Sequence, residues 1–105
     1  MKILVYALAF ISTYTHAACG VTDAKVTSTH RYSDGTIFVN FDKYNDCGCS
    51  QASRLAFHED NTSMDYVKSM ILIAYTTGAK VKAQATNSAC SVHGNTAILN
   101  TFQLN

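Results

Sequence analysis

The sequence predicts a small, mainly β domain with one helix: five strands in the order βββ-α-ββ, wrapped into a disulfide-stabilised barrel. Three observations predict it. Short alternating segments rich in β-branched residues are separated by turn signals, one segment switches to helical period, and the four cysteines fall between these segments rather than inside them. The 105 residues contain no proline, so no segment loses a backbone donor to one.

The leading residues stand apart. Lys2 precedes an apolar run over 3–11, polar residues follow, and Thr15-His16-Ala17 has the small-x-small form that a signal peptidase reads. The run is far short of the roughly 20 apolar residues that span a bilayer. Residues 1–17 therefore read as a secretory signal peptide and 18–105 as a single domain, secreted or periplasmic. Cys19 follows Ala17-Ala18, but His16 stands where a lipoprotein signal carries an aliphatic residue.

The first strand is expected over 24–32, where Val26, Ser28, His30 and Tyr32 alternate with their neighbours. Ser33-Asp34-Gly35 is a tight turn, with Gly35 free to take positive φ. The second strand is expected over 36–44, with Ile37, Val39 and Phe41 on one face and Phe38, Asn40 and Asp42 on the other. A polar loop, Asn45-Asp46-Cys47-Gly48-Cys49, leads to a third strand over 52–58, where Leu55 and Phe57 share a face.

Asn61-Thr62-Ser63 then offers helix N-caps, and Thr62 with Asp65 resembles a capping box with a shortened acid. The helix runs to about Thr77 and stops at Gly78. Val67, Ile71, Ala74 and Tyr75 form a core stripe at helical spacing, while Tyr66, Met70 and Ile73 form a second apolar stripe. A lone amphipathic surface helix needs one such face. The second is buried either by deep seating in the core or against other copies of the chain, which makes these three residues candidate oligomer contacts. The fourth strand, over 80–86, sets Val81, Ala83 and Ala85 against Lys80, Lys82 and Gln84; the fifth, over 96–104, places Ile98 and Phe102 opposite Leu99.

The eight Lys and Arg and seven Asp and Glu give a net charge of +1, which falls to zero when Lys2 leaves with the signal. No like-charge run remains, so nucleic acid is not an expected partner, nor is an anionic membrane surface. In an oxidising compartment Cys19, Cys47, Cys49 and Cys90 read as disulfides. A Cys47–Cys49 bond would close a strained ring. Cys19 therefore pairs with one of these two and Cys90 with the other. The competing zinc site would draw on Cys47, Cys49 and His93, but lacks the usual Cys-x-x-Cys pairs.

Three meandering strands, a helix and two further strands match the OB-fold barrel. In that topology the start of strand one, the loop between strands two and three and the loop between strands four and five lie at one end, which is where all four cysteines fall. The chain also resembles the subtilase cytotoxin B subunit family, the B subunits of AB-type bacterial toxins. The likeness rests on Asp65-Tyr66-Val67-Lys68 through Ala74-Tyr75-Thr76-Thr77-Gly78-Ala79-Lys80-Val81 and, more loosely, on 95–102. It implies a homopentameric ring with helices lining a central pore, surface sites for sialylated or other glycans, and a secreted enzymatic A subunit as partner. The segment before the first strand departs from that family.

Candidate ligand-binding residues are Tyr32, Ser33 and Asp34 in the first hairpin, with Asn40 and Tyr44 nearby, which offer the aromatic faces and the hydroxyl and amide partners that match sugar hydroxyls. The competing reading is plain turn chemistry. His30, His58 and His93 have no short spacing and read as ordinary polar side chains on the surface; no catalytic residue, metal site or cofactor is expected. The expectation is a secreted, non-enzymatic module that binds a glycan or protein partner. The alternative is a monomeric periplasmic accessory or inhibitor protein.

Overall fold

The computed structural model describes residues 18–105; the signal peptide expected over 1–17 lies outside the described residues. The elements are β1 (Gly20–Arg31), β2 (Thr36–Phe41), β3 (Arg54–His58), a 3-10 turn (Thr62–Met64), α1 (Asp65–Thr77), β4 (Lys80–Ala85) and β5 (Ala97–Leu104). This is the βββ-α-ββ order the sequence predicts. β1 pairs antiparallel with both β2 and β4, β2 with β3, and β4 with β5. A short parallel pairing, Leu55 with Ala97 and Ala56 with Ile98, joins β3 to β5 and closes the sheet.

Two bulges let β1 serve both halves of the sheet. One extra residue lies between Val21 and Ala24 facing β4, where Asp23 takes φ 54°, and another between Val26 and Ser28 facing β2. Each bulge reverses which residues point inward. Val21, Ala24 and Val26 are therefore buried, whereas Ser28, His30 and Tyr32 lie outside. The predicted alternation Val26, Ser28, His30, Tyr32 is thus split at Thr27. The same device corrects β5: a register shift between Gln84 and Ala85 brings Leu99 and Phe102 inside together and leaves Ile98 exposed. Ile98 and Phe102 do not share a face.

The interior is filled by Val39 and Phe41 of β2, Leu55 and Phe57 of β3, Val81, Ala83 and Ala85 of β4, and Ala97, Leu99 and Phe102 of β5. Small alanines alternate with large residues, as the taper of a small barrel requires. α1 packs on β1 and β5, burying Ile71 and Ala74, with Val67 and Met70 partly covered. Burying a side chain the size of Ile71 contributes roughly 1.5–3 kcal/mol.

Tyr75, expected in the core stripe, is 49% exposed. It lies about 100° round the helix from Ala74, outside the narrow arc that the sheet covers. The expected capping box is also absent. Asn61 caps the 3-10 turn by accepting from the Ser63 amide at 3.2 Å, and Asp65 instead pairs with Lys68 at 3.1 Å. Gly78 ends α1 at φ 70°, donating its amide to the Ala74 carbonyl, as predicted. β2 stops at Phe41, short of the expected Tyr44, because the chain turns into the cysteine loop, where the Asn45 amide donates to the Ala52 carbonyl and the Asn45 side chain to the Arg54 carbonyl.

The disulfides are Cys19–Cys47 and Cys49–Cys90, and they account for every cysteine. They tie the start of β1 to the β2–β3 loop, and that loop to the segment before β5. Two such bonds are compatible with an oxidising compartment such as the periplasm or the extracellular space. Among the described residues no helix is long and apolar enough to cross a membrane.

Candidate functional site

β2 is buried on both faces, which a half-solvated strand would not be. Phe38 points away from the barrel interior, opposite Val39, yet is 0% exposed. Its cover comes from four other residues in three segments: the end of β1, β3 and the loop before β5. His30 on β1 stacks at 5.1 Å between centroids, Tyr32 meets it edge-on at 5.0 Å, and His93 meets it edge-on at 5.3 Å. The Arg54 guanidinium of β3 lies 4.0 Å from the ring centroid, a cation–π contact.

Backbone pairing sets most of this geometry. His30 faces Phe38 across the β1–β2 ladder, and Arg54 faces Asn40 across β2–β3. His93 arrives from the loop before β5. Val92 and Thr96 pair across the three residues 93–95, and the Asn95 amide donates to the Val92 carbonyl at 3.1 Å, closing a turn whose two central residues, His93 and Gly94, both have positive φ, 53° and 71°. A type I′ turn requires positive φ at both positions. Glycine takes it freely, whereas a histidine there is uncommon and carries strain of the kind that collects at functional sites. Arg54 fastens the turn from below, its Nε donating to Thr96 Oγ1 at 2.9 Å and its Nη2 to Asn95 Oδ1 at 3.2 Å.

Asp34 sits at the rim. In the β1–β2 turn its Oδ1 accepts from the Thr36 amide at 2.9 Å, and its Oδ2 meets His93 Nε2 at 3.1 Å. The Thr36 amide and side chain, then His93, hold its carboxyl down to about 2. The group is therefore an ionised acceptor over the whole working pH range. His58 steadies the same turn: its Nδ1 accepts from the Asp60 amide at 3.1 Å, which leaves Nε2 to donate to the Asp34 carbonyl at 2.8 Å. Gly35, at φ 89°, packs so close that a Cβ would lie 2.8 Å from His58 Nε2. Beyond it, Arg31 and Glu59 form a two-pronged ion pair at 2.6 and 2.8 Å.

The three histidines among the described residues, 63 positions apart end to end in sequence order from His30 to His93, thus converge on one turn. Sequence spacing gave no sign of this, because the contacts cross three strands and a loop. Of the predicted ligand-binding residues, Tyr32 (44% exposed), Ser33 and Asp34 lie together at this rim. Asn40 is on the same outer face, two residues along β2 from Phe38. Tyr44 is 82% exposed but lies past the opposite end of β2, away from the turn. His30, Phe38, Arg54 and His93 complete the cluster.

Chemically the cluster presents aromatic surface beside a fixed carboxylate. Among the described residues, no hydroxyl hydrogen-bonds His93, so its contact with Asp34 lacks the nucleophile of a hydrolytic triad. The grouping of Cys19, Asp46 and Cys47 carries no thiolate, since the two sulfurs are bonded to each other.

A second feature is apolar. A cleft of ≈ 180 Å³ opens between α1 and the sheet, lined by Thr29, Ile37, Phe57, Lys68, Ile71 and Leu72. Beside it the outward face of α1 exposes Tyr66 (78%), Leu72, Ile73 and Tyr75. Met70, the third residue of the predicted second stripe, is partly buried against the core. No protein-family model, no curated protein and no solved structure matches this chain, so the chemistry of the site rests on its own residues.

Proposed function

We propose that this chain is a secreted, non-enzymatic binding module, an OB-type barrel resembling a toxin B subunit, that recognises a glycan on the outer face of β1–β2–β3. The observation that carries this reading is the rim formed by Tyr32, Asp34 and His93. There an exposed aromatic side chain stands beside a carboxylate already held in place by Thr36 and His93. Sugars are bound by that combination, an apolar ring face against an aromatic and hydroxyls against fixed acceptors. Pre-set acceptors also lower the ordering cost of binding. Strain at His93 supports the same assignment, because the chain holds a non-glycine residue at positive φ to build this rim.

The OB-type assignment is supported by the strand ring β1-β2-β3-β5-β4 with its helix between β3 and β4. The exposed Tyr66 and Ile73, with Met70 between them, are where copies of the chain would meet in a ring, beside an enzymatic partner subunit. The test is a glycan array probed with the oxidised 18–105 protein and with its Tyr32→Ala variant. Binding that disappears in the variant is expected. A monomeric mass in solution together with an empty array would instead favour an accessory or inhibitor protein.

A further inference from the structure

The charges around the rim are unequal in their freedom. Among the described residues, the arginine and lysine side chains named here are already engaged. The Arg54 guanidinium is stacked on Phe38 and donates to Thr96 and Asn95. Arg31 is held in two hydrogen bonds by Glu59, and Lys68 donates to the Glu59 carbonyl and to Asp65. His58 bridges the Asp34 carbonyl and the Asp60 amide, and His93 is spent on Asp34 itself. His30 lies against Tyr32 and Phe38.

Asp34 differs. Thr36 and His93 are its protein partners, Thr36 at Oδ1 and His93 at Oδ2, and a carboxylate oxygen has room for a further donor. Its side chain is about half exposed, beside the exposed Tyr32. The rim therefore offers a fixed anionic acceptor and an aromatic face, and among the described residues the arginines and lysines named above are committed elsewhere rather than free to receive a negative group.

Resting on the glycan reading above, we propose that the site takes a neutral sugar, with a vicinal diol donating to the two oxygens of Asp34 and one face of the pyranose ring against Tyr32. It discriminates against sialylated ligands. Two hydroxyls on adjacent carbons match the two oxygens of one carboxylate, as a guanidinium does, and hydrogen bonds to an ionised acceptor are the stronger class. A sialic acid carboxylate in the same place would bring like charge against Asp34, with Arg31, Arg54 and Lys68 already committed to other partners. That penalty is screened by salt because the group is exposed.

The test uses the oxidised 18–105 protein on an array carrying galactose-, glucose-, mannose- and fucose-terminated glycans beside their sialylated counterparts. Asp34→Asn and Tyr32→Ala are run in parallel, and thermal melts verify that both fold. Binding to neutral termini, reduced about 10-fold or more by Asp34→Asn, is expected. Asn keeps the acceptor for the Thr36 amide, so this variant removes charge while retaining the turn. Selective binding of sialylated glycans, or neutral binding that Asp34→Asn leaves unchanged, overturns the neutral-diol assignment while leaving glycan recognition standing. No binding to any glycan overturns both.

Discussion

Replacing Cys49 and Cys90 together by serine should destabilise the domain by about 2–4 kcal/mol. The bond joins residues 41 apart in sequence. Closing a loop of that length removes about 4 kcal/mol of chain entropy from the unfolded state at 25 °C, and measured values fall at or below that figure. For a domain of this size each kcal/mol moves the midpoint by about 4–8 °C, so the melt should fall by roughly 8–32 °C. The loss is also local in its consequence. Cys90 anchors the segment that delivers His93, and without it that segment is held by Arg54 through Thr96 and Asn95. Calorimetry of the wild type and the double serine variant, with the His93 ring resonances followed by NMR, measures both effects. The Cys19–Cys47 pair, 28 apart, provides the companion variant, with an expected loss of similar size. A midpoint shift under about 5 °C with unmoved His93 resonances would refute the reasoning. It would mean that the Arg54 clamp alone fixes the loop and that the unfolded chain is little constrained by the bond.

Gly35→Ala should cost about 1–3 kcal/mol in urea unfolding, since its φ of 89° disfavours a side chain and the new Cβ would press on His58. Arg54→Lys keeps the charge but loses the planar fork over Phe38, and should accelerate amide exchange at Asn95 and Thr96. Asp34 has its carboxyl lowered to about 2 by Thr36 and His93, so its contribution to stability is present above the ordinary Asp range and is lost as pH falls towards 2. Asp34→Asn should flatten that acid limb in urea midpoints taken between pH 5 and 2. A Tyr66→Ser, Ile73→Ser variant should reduce the mass measured by light scattering from that of the ring to that of one chain, if these exposed side chains join copies.

The element order, the Gly78 stop and the division of the four cysteines into two inter-segment pairs were all legible in one dimension. Each depends on local signals: period two against period 3.6, a left-handed cap, and a ring too tight to close between Cys47 and Cys49. Tyr32 and Asp34 were legible too, because an aromatic beside a turn acid is a local pattern. What the sequence did not carry is where each alternation reverses. The bulges at β1 and the register shift at β5 are imposed by strand neighbours, and one extra residue turns Ser28, His30 and Ile98 outward. Tyr75 is likewise exposed because the covering sheet is narrower than the helix's apolar arc. The site follows the same logic. Phe38 reads as an ordinary strand residue until His30 and Tyr32, Arg54 and His93 are brought over it from three places in the chain. Sequence alone determined the elements and the residue chemistry of this protein. Only the tertiary structure decided which face each residue occupies and which distant residues meet, because closure of the sheet sets register globally.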